Sequence, residues 1–115
     1  MSDLTTRYAK RQFGGWGGET VVPLPFQIEG KPAQLRLSTH KVSGGSVLVS
    51  YAGAQTTDNG LTTTRVFRDF HAVAACSITR CTEKAVRTQH EAVVADAGRW
   101  AAHAFAHHQE LGDIA

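Results

Sequence analysis

Little in this chain points to an oxidised or membrane-bound protein. It has only two cysteines, Cys76 and Cys81. One such pair makes no disulfide framework and falls short of the ligands of a structural zinc site, so both are read as reduced thiols of an intracellular protein. No segment approaches the roughly 18 consecutive apolar residues that a membrane span requires. The opening stretch MSDLTTRYAKRQF lacks the apolar core of a signal peptide. The formal charge is only +2, and no run of Lys and Arg forms a basic tail. Nucleic-acid binding is therefore not demanded, although a local basic patch permits it. The expectation is a chain made in the cytosol, without a membrane partner.

What is present is ordinary globular material. The 115 residues are 42% hydrophobic and 19% charged, which suits one domain covering residues 1–115. A chain of this size buries roughly two-thirds of its unfolded surface, so it builds a core without staples. Residues 1–81 read mainly as strands and residues 82–111 as helix, with no internal repeat.

RYAKRQF reads as a short strand ending at the glycine-dense turn GGWGG. ETVVPLPFQI is extended, because Pro23 and Pro25 fix φ and push Val22 and Leu24 away from helix. Its prolines predict an edge position. EGKP is a turn, and AQLRLSTHKV then alternates, with Leu35 and Leu37 on one side and Gln34, Arg36, Ser38 and His40 on the other. SGG turns into the strand SVLVSYAG. TTDNG reads as a hairpin loop carrying Asn59-Gly60, and LTTTRVFRDFHAVAA returns as the longest strand. The result is an antiparallel meander led by an N-terminal hairpin.

At Thr82 the period changes from two to between three and four. Thr82 is a suitable N-cap, with Glu83 in the first turn, where the helix dipole favours negative charge. Val86, Val93, Val94, Ala97, Ala101 and Phe105 share one helical face. Gly98 marks a kink or the gap between two helices, the second covering roughly residues 99–111. The fold class is thus α+β, with two C-terminal helices on one face of the sheet.

If the alternation holds, the other face displays Arg36, Ser38, His40, Ser50, Arg65, Phe67, Asp69 and His71. A solvated outer face is the plain reading. Phe67 among cations adds a surface suited to base stacking. Catalysis finds little support, and the chain is not expected to be an enzyme. His103 and His107 have the i,i+4 spacing of a metal pair, but Ala104 stands where a metalloprotease motif has Glu, so they read as solvated residues of a last helical turn. Cys76 with His71 or His90 makes only a chance nucleophile–base pair, and FGGWGGE lacks the strand, spacing and helix of a phosphate loop. No cofactor and no metal is implied.

The segments AQLRLSTHKVSGGSVLVSYAGAQTTDNGLTTTRVFRDFHAV and TTRVFRDFHAVAACSITRCTEKAVRTQHEAVVADA resemble the long strands and the strand-to-helix handover of coat proteins of single-stranded RNA bacteriophages. The resemblance covers residues 33–97, and the N-terminal third in outline; it lies in element order and length. It implies an intertwined homodimer, with sheets joined edge to edge and each chain's helices packed on its partner. Dimers would assemble in the bacterial host cytoplasm into an icosahedral virion shell. The sheet face opposite the helices would then point at the genome, making Arg36, Ser38, His40, Ser50, Arg65, Phe67, Asp69 and His71 candidates for contacts to an RNA hairpin. Two departures are visible: the inward face carries few lysines, which weakens counterion release, and TTDNG is short and has no cysteine. Two other readings use the same elements: a dimeric regulator resembling the single-strand-binding transcriptional cofactors, using YAKRQFGGWGG to stack on bases, and a phage-encoded inhibitor of a host protein.

Overall fold

A computed structural model describes residues 5–11, 15–42, 46–58, 62–67 and 69–114. The strands are β1 (Thr5–Lys10), β2 (Trp16–Ile28), β3 (Lys31–Lys41), β4 (Val47–Asp58), β5 (Thr62–Val66) and β6 (His71–Ser77). Two helices follow, α1 (Glu83–Ala95) and α2 (Ala97–Glu110). All pairings are antiparallel, in the order β1-β2-β3-β4-β5. β6 pairs with β4 along the edge that β5 also uses. The architecture is α+β, an antiparallel meander covered on one face by two C-terminal helices. No helix among the described residues is long and apolar enough to cross a membrane.

The alternation of β3 decides which face is buried. Ala33, Leu35, Leu37 and Thr39 are at most 2% exposed, and the residues between them are half-buried. Leu35 and Leu37 lie opposite Ala54 and Ala52 of β4 and opposite Val22 and Thr20 of β2. Val93, Val94 and Trp100 close over them from the helices. A second cluster gathers Ile28, Ala33, Ala54 and Phe67 beneath Ala104. Each fully buried Leu or Ile contributes about 1.5–3 kcal/mol. The β2–β3 turn is closed by Glu29 and Gly30, both at positive φ (54° and 80°), the backbone of a two-residue hairpin that Gly adopts without steric cost.

The helix start lies where the sequence puts it. The Thr82 hydroxyl accepts from the Ala85 N–H at 3.1 Å, a cap worth about 1 kcal/mol. The break falls earlier than Gly98: Asp96 caps α1, and Gly98 sits in the first turn of α2. Trp100 fixes that corner, its indole N–H donating to the Val93 carbonyl at 3.1 Å.

The proline stretch does lie at an edge: among the described residues β1 pairs with β2 only as far as Val21, and the β2–β3 register slips between Pro23 and Gln27. Other expectations shift. Thr56, Thr57 and Asp58 extend β4 and are not loop. Asn59-Gly60 and the turn residues 43–45 lie outside the described residues, as does Gly14 of the GGWGG turn.

The longest expected strand is in fact two, β5 and β6, with the break between Val66 and His71. There Asp69 turns inward, and its carboxylate accepts the Ala54 N–H at 3.1 and 3.2 Å, taking the place of a ladder carbonyl. Phe70 lies on the opposite face over Gly53. A Cβ at Gly53 would stand 2.5 Å from its ring, so only glycine admits this packing.

Candidate functional site

The sheet face away from the helices is the open surface of the molecule. β3 contributes Gln34, Arg36, Ser38 and His40, and the register sets Ser38 between Glu19 of β2 and Tyr51 of β4. Arg36 donates to the Glu19 carboxylate from Nε at 3.0 Å and from Nη2 at 2.6 Å. Glu19 engages only part of the guanidinium's donor fork, which leaves N–H groups for a further acceptor. The pair is exposed, so its own contribution to stability is small.

Next to it, the His40 and Tyr51 rings stack, with centroids 5.3 Å apart and planes 21° from parallel. Burial, followed by the charges of Arg11 and Arg36, holds the His40 imidazole below its usual pKa range. At neutral pH the stack is therefore an uncharged aromatic platform beside a cation. A shallow hollow of about 330 Å³ adjoins it, with Arg7, Arg11 and Arg36 around Gly17, Ser38 and His40. Beyond the Arg36–Glu19 pair is a second hollow of about 370 Å³, bordered by Thr5, Gln34 and Thr63. Gln55 and Thr57 form its floor, and Gln55 Oε1 and Thr57 Oγ1 have no hydrogen-bond partner among the described residues. Cations, a flat stacked pair and polar hollows suit a phosphate-bearing chain with unstacked bases.

Only part of the expected site lies here. Arg36, Ser38 and His40 are on the open face, and the remaining candidates face the helices. Ser50 lies opposite Thr39 and is fully buried, bonded to Thr39 Oγ1 at 2.6 Å and to Gln89 Nε2 at 3.0 Å. Arg65 is opposite Thr56 on that same helix side, at the exposed margin. It donates to Glu29 at 2.6 and 2.8 Å and places its guanidinium 4.7 Å from the centroid of Phe67. Phe67 is a core residue, 7% exposed, with its ring edge-on to His108. Asp69 is buried beside His108, with Oδ2 3.3 Å from Nε2. His71 is opposite Ala52 and lies against Trp100 and His103 of α2.

The physical reason is one of phase. Within a strand the alternation is right, but alternation alone does not say which side meets the helices. The side holding Phe67 does, and its polar neighbours find internal partners there.

The open face also holds Arg7, Arg11 and Tyr51, of which the sequence reading touches only Arg11, within YAKRQFGGWGG. The spacing Arg7-x-Ala9-x-Arg11 was the available signal, since period two sets those residues on one face of the hairpin. Sequence reasoning missed the polar seam under α1. His90 is fully buried, with Nε2 2.7 Å from Thr20 Oγ1 and Nδ1 2.7 Å from Thr39 Oγ1. Thr20 continues to Thr6 at 2.9 Å and Thr39 to Ser50 at 2.6 Å. Burial lowers the His90 pKa, so the neutral ring is the resident form. Among the described residues, no group of three or more His, Cys, Asp or Glu is placed to share a metal ion.

Compared with protein-family models, with curated proteins and with solved structures, the chain matches none.

Proposed function

We propose that this chain is the coat protein of a single-stranded RNA bacteriophage, and that its open sheet face holds the RNA. The observation that carries the reading is the grouping of Arg7, Arg11 and Arg36 with the His40–Tyr51 stack on the sheet face that neither helix covers. Arginines supply phosphate contacts, and the neutral stack supplies a surface for an unpaired base. The site is accordingly Arg7, Arg11, Arg36, Ser38, His40 and Tyr51. Ser50, Phe67 and Asp69 serve the fold.

Assembly is supported by the bare edge of the sheet. Among the described residues, β6 pairs with β4 on one side and with no strand on the other. Beside it runs an apolar groove of about 590 Å³ between Ala74 and Cys76 of β6 and Ala85, Thr88 and Ala92 of α1. An unprotected edge flanked by an apolar groove suits a second copy of the chain, strand against strand. The two copies would make one wide sheet with a continuous open face, the geometry of a shell lining.

Electron microscopy of the purified, nuclease-treated protein tests this, with the ultraviolet absorbance ratio read alongside. Uniform closed particles with protected RNA are the expected result. A small soluble species that binds single strands points to the regulator reading. One that copurifies without nucleic acid points to the inhibitor reading.

A further inference from the structure

Where the last strand breaks, two imidazoles from distant parts of the chain meet. The rings of His71 on β6 and His103 on α2 have centroids 4.7 Å apart and planes tilted by 42°. The His71 ring is oriented by its surroundings. Its Nδ1 lies 2.9 Å from the Asp69 carbonyl oxygen. A carbonyl only accepts, so Nδ1 carries the proton of the neutral ring and Nε2 carries the lone pair. The Asp69 backbone is fixed in turn, because its carboxylate holds the Ala54 N–H. Trp100 stands edge-on to His71 at 6.4 Å and is itself pinned through its indole N–H.

His103 is exposed and its ring makes no hydrogen bond among the described residues. Its ring packs beside that of His71, close enough for one nitrogen of each to reach a shared ion. An imidazole whose second nitrogen donates to a backbone carbonyl is how proteins orient a histidine toward a metal. A pair of imidazole nitrogens suits divalent zinc, copper or nickel, with water completing the shell.

We infer that His71 and His103 form a two-histidine site for a divalent d-block cation, bridging β6 to α2. The pair differs from the His103–His107 pair that helical spacing suggests, because one ligand comes from the sheet. Such an ion fastens the C-terminal helix to the strand beside the break and stabilises the folded chain by mass action. The site is independent of the RNA-binding proposal, since it lies on the opposite face of the sheet.

The test uses untagged, chelator-treated protein titrated with zinc chloride, read by thermal unfolding and by ring-nitrogen NMR of the histidines. A rise in melting temperature of about 5 °C is expected at roughly tenfold excess over Kd, reversed by EDTA. His71 Nε2 should move to the chemical shift of a metal-bound nitrogen. His103→Gln, an exposed position, should abolish both effects, and His107→Gln should retain them. Equal loss in His103→Gln and His107→Gln would place the ion on the helix pair and overturn the inference. So would an unmoved His71 nitrogen in the wild-type chain.

Discussion

His90 Nδ1 lies 2.7 Å from Thr39 Oγ1, and this contact joins α1 to the middle of the sheet within a seam of buried hydroxyls. The ring's other nitrogen holds Thr20, so one side chain spans β2 and β3. Hydroxyls on both sides can donate or accept, so a neutral ring is satisfied in either tautomer. Its burial disfavours only the charged form.

A pH dependence follows from that. The folded pKa of His90 is lowered from the ordinary histidine value of 6.5, so the unfolded chain binds the proton more readily. The stability contributed is fully present above the unfolded pKa and is lost as pH falls through the folded one. Urea unfolding at pH 7.5 and 5.5 should show a larger loss for the wild type than for His90→Gln. Equal losses would mean that the ring charges without cost.

Ser50 and Arg36 separate fold from binding. Ser50→Ala removes hydrogen bonds to Thr39 and Gln89 and should cost about 1 kcal/mol, with RNA affinity unchanged. Arg36→Ala should leave stability within about 0.5 kcal/mol while weakening RNA binding. Its salt dependence should flatten by about 0.7 in log–log slope for each phosphate that the arginine no longer neutralises. Filter binding across a salt series measures both.

Phe67 is expected to behave as core. Phe67→Ala should destabilise by about 3–5 kcal/mol in chemical denaturation. Arg65→Ala, which removes only an exposed pair with Glu29 and the cation over Phe67, should cost under about 1 kcal/mol. Similar small costs for both would return Phe67 to the surface.

The sequence made some of this legible and hid the rest for identifiable reasons. β3 could be read because it alternates without interruption under a single covering layer. Thr82 could be read because a cap is local chemistry. The side of Phe67 could not, because Asp69 and His71 look like surface residues until Ala54 N–H and the Asp69 carbonyl meet them inside. The stretch between Val66 and His71 contains no glycine or proline to announce a break. His90 looked incidental because its partners lie 70 and 51 residues away in the chain.

Gly53 and Phe70 should prove coupled at that break. Gly53→Ala puts a methyl 2.5 Å from the Phe70 ring and should cost about 1–3 kcal/mol. Adding Phe70→Ala should recover part of that, giving a favourable coupling energy in a double-mutant cycle. Strict additivity would show that the two do not meet.

Under the proposed edge-to-edge pairing of two copies, Ala85→Lys places a charge in the apolar groove beside β6 and should leave the chain monomeric by light scattering, with the circular dichroism spectrum unchanged. An intact dimer would move the interface elsewhere.

The most direct test of the open face as the RNA surface is ultraviolet cross-linking of the RNA-bound protein, mapped by mass spectrometry. The account predicts cross-links at Tyr51 and His40, both reduced by Arg36→Ala under matched salt. Cross-links confined to α1 and α2, with the strands unmodified, would contradict it.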